Sequence, residues 1–409
     1  MDRSFLEKLP KTDLHVHLDG CVRPSTLIEL ARESGIELPS YTEEGLRETV
    51  FKDSYDSLNE YLRGFAYTNE VMKTREQLER IAYEVAVDNQ LEGVRYIEVR
   101  FAPQLHASEE MDIIDSIRAV DDGLGRAQRE FNSRPEVAGG EEPPFHYGII
   151  ACAMRFFTPS FSDWYRRFCA MHSYTNQEMV FALASLELES AVARARWDEG
   201  LPVVGIDLAG SEDGWPAINH LEAFRRAQRH FLKKTVHAGE AYGPESIYQA
   251  ITELYADRIG HGLTLLDPGS VKSEYIRDPR KYVDSLAGYI ADRRITVEVC
   301  LTSNQQTNPA FRRLENHPFG KMMQRKLSVT ICTDNRTVSN TTVTDELHKA
   351  VTTFGLSNYE LRNIIVYGFK RSFFPGRYDE KRRYVRQCME YFEKIENEYF
   401  GNDAPSFEE

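Results

Sequence analysis

Eight segments with strand character alternate with stretches of helical periodicity, and few folds accommodate that order. The strand candidates fall within residues 13–20 and at 94–101, 146–153, 203–209, 234–237, 258–261, 295–301 and 328–333. Most are runs rich in Val, Ile and Tyr, the composition of strands buried on both faces. Apolar residues at helical spacing lie between most of them, at 187–197, 221–232, 247–254 and 282–291. Strand and helix alternating in this way predict an α/β fold, a (β/α)8 TIM barrel.

At 409 residues the chain suits a single domain. The barrel would occupy about 9–340, with helices over about 344–400 and a frayed tail in the last ten residues. The helices after the barrel could pack on it or build a homodimer contact. Strands one and two are separated by more chain than one crossover helix needs, so extra helices are expected there, covering the barrel mouth. One opens at Pro24 and stops near Gly35, and 57–91 reads as two long helices. The Gly- and Pro-rich stretch 131–144 reads as a surface loop.

A barrel of this kind places its chemistry at the C-terminal ends of its strands. Polar residues collect there. His15 and His17 project to one side of the first strand, while Leu14, Val16 and Leu18 project to the other. Asp19 follows them. His237 ends the fifth strand with Glu240 just beyond, His261 ends the sixth, and Asp334 follows the eighth. Each alone is ordinary, since a histidine is often structural and a carboxylate is often a helix cap. Gathered at one end of successive strands, His15, His17, His237 and Asp334 form a donor set suited to zinc. Hydrolysis is the chemistry such a site permits, because a metal lowers the pKa of bound water toward ~7. Glu240 could shuttle a proton and His261 could orient the nucleophile. His106, His146, His172, His220, His230, His317 and His348 lie on helices, loops or strand starts and read as solvated or structural.

A net charge of −14 argues against a nucleic-acid or anionic-membrane partner. The six cysteines show no C-x-x-C spacing and read as reduced and structural. With no secretory h-region and no long apolar run, a cytoplasmic address is expected. No P-loop, no dinucleotide fingerprint and no G-x-S-x-G is present, which excludes three common nucleotide and ester chemistries.

The segments His15-Val16-His17-Leu18-Asp19-Gly20, Asp207-Leu208-Ala209-Gly210, Val236-His237-Ala238-Gly239-Glu240, Gly260-His261-Gly262 and Thr333-Asp334 together resemble the adenosine deaminases of the zinc-dependent amidohydrolase type. The resemblance runs from about Leu9 to Asn340 in the family's order. It implies a TIM barrel, one Zn2+ per chain, and hydrolysis of adenosine to inosine and ammonia in purine salvage, with 2′-deoxyadenosine as a second substrate. It implies that His15, His17, His237 and Asp334 ligate zinc and that Glu240 protonates purine N1. His261 would stabilise the attacking hydroxide, with Asp334 helping to orient it, and the Gly210 N–H would donate to N3. Asp19 would accept from the ribose, and Leu58, Tyr61, Leu62 and Phe65 resemble a lid over the pocket. Asn335 stands where many members carry a second aspartate, thought to donate to purine N7. An amide can make that donation, but the change leaves other 6-aminopurines open as substrates: aminodeoxyfutalosine, adenine, AMP or an N6-substituted nucleoside. A catalytically inactive nucleoside-binding barrel is the reading outside enzymes. The Cys-ligated base deaminases are a different family, whose P-C-x-x-C signature is absent here.

Overall fold

Eight parallel strands form in sequence order β1 to β8, each hydrogen-bonded to the next. They are β1 Lys11–His17, β2 Val94–Phe101, β3 His146–Met154, β4 Val203–Ala209, β5 Lys233–Ala238, β6 Arg258–His261, β7 Thr296–Val299 and β8 Val329–Ile331. The structure is a computed structural model that describes residues 1–55 and 58–401, with the side chains of Leu58 and Asn59 outside the description. Closure is made by the backbone: the Asp334 N–H donates to His15 O and the His17 N–H donates to Asp334 O, each at 2.8 Å. This TIM barrel is the architecture that the alternation implies, and its closing seam sets Asp334 beside His15 and His17.

The core lies mainly between strands and surrounding helices. Leu14, Val16, Ile97, Val99, Ile206, Val236 and Ile259 are fully or almost fully buried and join helix residues such as Ile81, Val120, Phe224 and Ile364 in one cluster. The barrel interior is instead polar, with Glu98, Arg100, Asp207, Arg258 and Glu298 buried in it. Burying charge is costly unless it is paired. Here Arg258 bonds Glu98 and Glu298, while Arg100 bonds Glu298 and Asp207.

Helices at Pro24–Ser34, Glu43–Thr49, Leu58–Leu62, Phe65–Glu70 and Arg75–Leu91 fill the long first connection. The first ends at Gly35, whose φ of 68° supplies the left-handed cap. The first of the two long helices expected over 57–91 is instead two short ones, since Gly64 interrupts the pattern. The seventh strand is shorter than expected, because the apolar run through Cys300 and Leu301 passes into the helix Leu301–Thr307. The expected loop at 131–144 begins with the end of the helix Ile113–Asn132 and holds the short helix Pro135–Ala138, anchored by buried Val137. Helices Val343–Phe354, Asn358–Arg371 and Tyr378–Phe400 follow the barrel and pack on it, with Tyr384 Oη donating to Arg95 O at 2.6 Å. The frayed tail expected for the last residues falls mostly outside the described ones.

All six cysteines are free, and five are buried. His106 and His220 are buried away from the strand-end cluster in side-chain and backbone hydrogen bonds, and His317 is buried against Asn304. No helix among the described residues is long and apolar enough to cross a membrane.

Candidate active site

The strand ends bring His15, His17, His237, His261, Glu240 and Asp334 together. His17 Nε2 lies 3.2 Å from His237 Nε2 and 3.5 Å from Asp334 Oδ1, and His15 Nε2 lies 3.5 Å from that same oxygen. Donors ~2.1 Å from a tetrahedral metal stand about 3.4 Å from one another. His15, His237, His261 and Asp334 each offer a donor within 4.8 Å of the others. His17 belongs to the group by its two short separations. His261 could be counted among the ligands by proximity alone, but its Nδ1 is engaged by Asn304 and its Nε2 lies 3.7 Å from Glu240 Oε2.

The buried His15 Nε2 has no hydrogen-bond partner. A buried polar atom left in this way calls for an explanation. A cation among three imidazoles and a carboxylate supplies one, so these residues fit a divalent metal.

Two residues hold the site under strain. His261 and Asp334 have φ of 64° and 62°, left-handed values that non-glycine residues seldom adopt. Asp334 is held by the closing-seam bonds and by Ser303 Oγ, which donates to Oδ2 at 2.6 Å. Gly260 makes room for an imidazole, since a Cβ there would lie 3.0 Å from His15 Cε1.

Behind the imidazoles stands a layer of carboxylates to which the sequence pattern assigned no role. His15 Nδ1 is 2.7 Å from Glu298 Oε2, and His237 Nδ1 is 2.9 Å from Asp207 Oδ2. Burial alone would raise both carboxyl pKa values, but the surrounding cations override it. Arg100 and Arg258 hold Glu298 well below the usual carboxylate range, and His237 and Arg100 do so for Asp207. Ionised at neutral pH, each carboxylate accepts the Nδ1–H and turns Nε2 toward the cluster. Replacing Asp207 by asparagine is expected to weaken metal affinity by about 10–100-fold, measured by competition with a chelator of known strength.

Glu212 also carried no signal in the sequence. It accepts the backbone N–H groups of Gly239, Glu240, Ala241 and Tyr242 at 2.7–3.1 Å, which fixes the turn that carries Glu240. Burial, then the Asp334 charge, pushes the Glu240 pKa up to about 8.

A cavity of about 460 Å³ opens over these groups. Its lining includes His17, Asp19, His237, Glu240, His261, Asp334, Asn335 and Gly210, together with Tyr61, Leu62 and Phe65 from the two short helices. The side chain of Leu58, expected beside them, lies outside the described residues. Gly210 has φ of 95°, a conformation that favours glycine at the wall. Asp19 Oδ1 and Asn335 Oδ1 are buried without partners, while Asn335 Nδ2 donates to Tyr61 Oη at 2.7 Å.

Fold and site together define a metal-dependent amidohydrolase barrel. The sequence model of the family described as Adenosine deaminase matches residues 10–391. Adenosine deaminase 1 of Streptomyces coelicolor is 35% identical over 387 residues, covering 94% of this chain and 87% of that relative. The Arabidopsis N6-mAMP deaminase MAPDA superposes with a TM-score of 0.68 at 26% identity, over 96% of this chain and 99% of that one. Adenine deaminase from Arthrobacter aurescens shares the fold with a TM-score of 0.73 at 22% identity, over 94% and 99% of the two chains. This chain belongs to the adenosine deaminase family.

Proposed function

We propose that the protein is a zinc-dependent deaminase of purine nucleosides, converting adenosine and 2′-deoxyadenosine to the inosine forms and ammonia. The observation that carries this reading is the placement of Glu240 and His261 beside the donor cluster, inside a cavity large enough for a nucleoside. Three imidazole nitrogens and one carboxylate oxygen are donors that zinc favours. Zinc held there supplies a water whose pKa is lowered toward ~7.

The chain's own groups do the rest. Glu240, protonated at neutral pH by its burial, gives its proton to purine N1 as C6 is attacked. His261 steadies the attacking oxygen. The Gly210 N–H donates to N3, and the unpartnered Asp19 Oδ1 accepts from a ribose hydroxyl, a contact that adenine could not provide. Among the described residues lining the cavity there is no lysine or arginine, and Asp19 and Glu70 are acidic. A 5′-phosphate would find no cation there, so the reading favours a nucleoside over AMP.

Asn335 meets N7. If its amide turns over, Tyr61 Oη donates to Oδ1 and Nδ2 takes the partnerless place that Oδ1 held, free to donate to N7. Asn335→Ala is expected to raise KM for adenosine by about 3–10-fold, the worth of one neutral hydrogen bond, with metal content unchanged. An unaltered KM in steady-state assays would remove Asn335 from substrate contact.

The function is tested by following the ultraviolet spectrum of a panel of 6-aminopurines mixed with the protein, with and without chelator. Adenosine and 2′-deoxyadenosine should convert fastest and only without chelator. Preference for adenine, aminodeoxyfutalosine, AMP or an N6-substituted nucleoside would reassign the substrate, and no conversion of any would favour a binding protein.

A further inference from the structure

Behind His261 runs a hydrogen-bonded chain that begins at a backbone amide. The Phe319 N–H donates to His317 Nδ1 at 3.1 Å. A backbone amide can only donate, so this ring nitrogen accepts and carries no proton. The ring of His317 is therefore neutral, in keeping with a pKa that burial lowers to about 3, and its proton sits on Nε2. His317 Nε2 lies 3.2 Å from Asn304 Oδ1 and donates to it. With the carboxamide oxygen turned to His317, Asn304 Nδ2 is turned to His261 Nδ1, 3.1 Å away. An amide nitrogen is a donor only, so His261 Nδ1 accepts in its turn. Each assignment follows from the one before it, and the first is fixed by the peptide backbone.

We infer that Asn304 and His317 are positioning residues that hold His261 in the tautomer with its proton on Nε2. That nitrogen is the one facing Glu240. A nitrogen already carrying its proton donates a hydrogen bond to the attacking oxygen and cannot remove a proton from it. His261 therefore acts as a fixed donor and not as the general base. Both positioning residues are almost wholly buried. Polar side chains in such a place cost stability unless every group is matched, and this chain matches them. The inference rests on the deaminase reading for what His261 faces, but not for the tautomer itself.

The test is nitrogen-15 NMR of protein labelled at its histidines, with the His261 signals assigned by their loss in His261→Gln. The expected spectrum shows Nε2 protonated and Nδ1 bare. Asn304→Asp presents acceptors to both rings, which favours the His261 tautomer with its proton on Nδ1. The expected result is that tautomer in the spectrum and a fall in kcat of about 10²-fold or more, with KM and metal content near wild type. His317→Gln keeps a donor to Asn304 Oδ1 and should retain at least about tenfold more kcat than His317→Leu. A wild-type His261 protonated on Nδ1 overturns the inference, as does an Asn304→Asp protein with unchanged tautomer and kcat. If Asn304→Asp does not fold, the wild-type spectrum decides. The expected wild-type tautomer without turnover of any 6-aminopurine would uphold the positioning chain and reject the deaminase reading.

Discussion

Glu240→Gln is expected to lower kcat for adenosine by about 10²–10⁴-fold, the range that a positioned general acid contributes, while bound metal stays at the wild-type level. Glutamine matches glutamate in shape and can still hydrogen-bond to a ring nitrogen, but it has no proton to release. The turn that carries position 240 is fixed by Glu212 through four backbone N–H groups, so the substitution leaves the framework in place. The proton is needed as the ring is attacked and not for binding alone. Therefore kcat and kcat/KM should fall together, with KM little changed. Steady-state kinetics beside metal analysis check this, and a glutamine variant with wild-type kcat would remove Glu240 from proton transfer.

The second large effect is expected at Asp334. Asp334→Asn should sharply reduce bound metal and lower kcat by at least about 10³-fold, because the lowered water pKa that a metal provides is worth several orders of magnitude in available hydroxide. Asparagine is chosen because it tolerates the left-handed backbone at this position, with φ of 62°, better than most residues. It can also accept from Ser303 Oγ as Asp334 does. What it lacks is the charge set against three imidazoles. Full metal content in a folded Asp334→Asn protein, judged by circular dichroism and elemental analysis, would remove Asp334 from the ligand set.

Much of this architecture was legible in the sequence because parallel barrel strands are apolar runs with sharp ends. Val94–Phe101, Val203–Ala209 and Arg258–His261 form with the bounds their composition suggests. Where an apolar run continues from strand into helix, as at Cys300 and Leu301, no local signal marks the change. The strand-end histidines were legible because a polar residue closing an apolar strand is conspicuous. Asp207 and Glu298 interrupt apolar strands just as plainly, and that was the available signal. Their role, however, is defined by partners across the barrel, since His237 lies thirty positions away from Asp207 and His15 lies 283 from Glu298. Asn304 and His317 carried no such mark, because what they do exists only through the tautomer they impose on His261.

Metal content of the purified protein, followed by stripping and titration back while adenosine conversion is recorded, bears on the whole site at once. One zinc per chain is expected, with activity lost on stripping and regained in proportion to zinc up to one equivalent. A protein that deaminates adenosine fully when stripped, or that binds no divalent ion at the cluster of His15, His17, His237 and Asp334, would contradict the metal centre and the chemistry built on it.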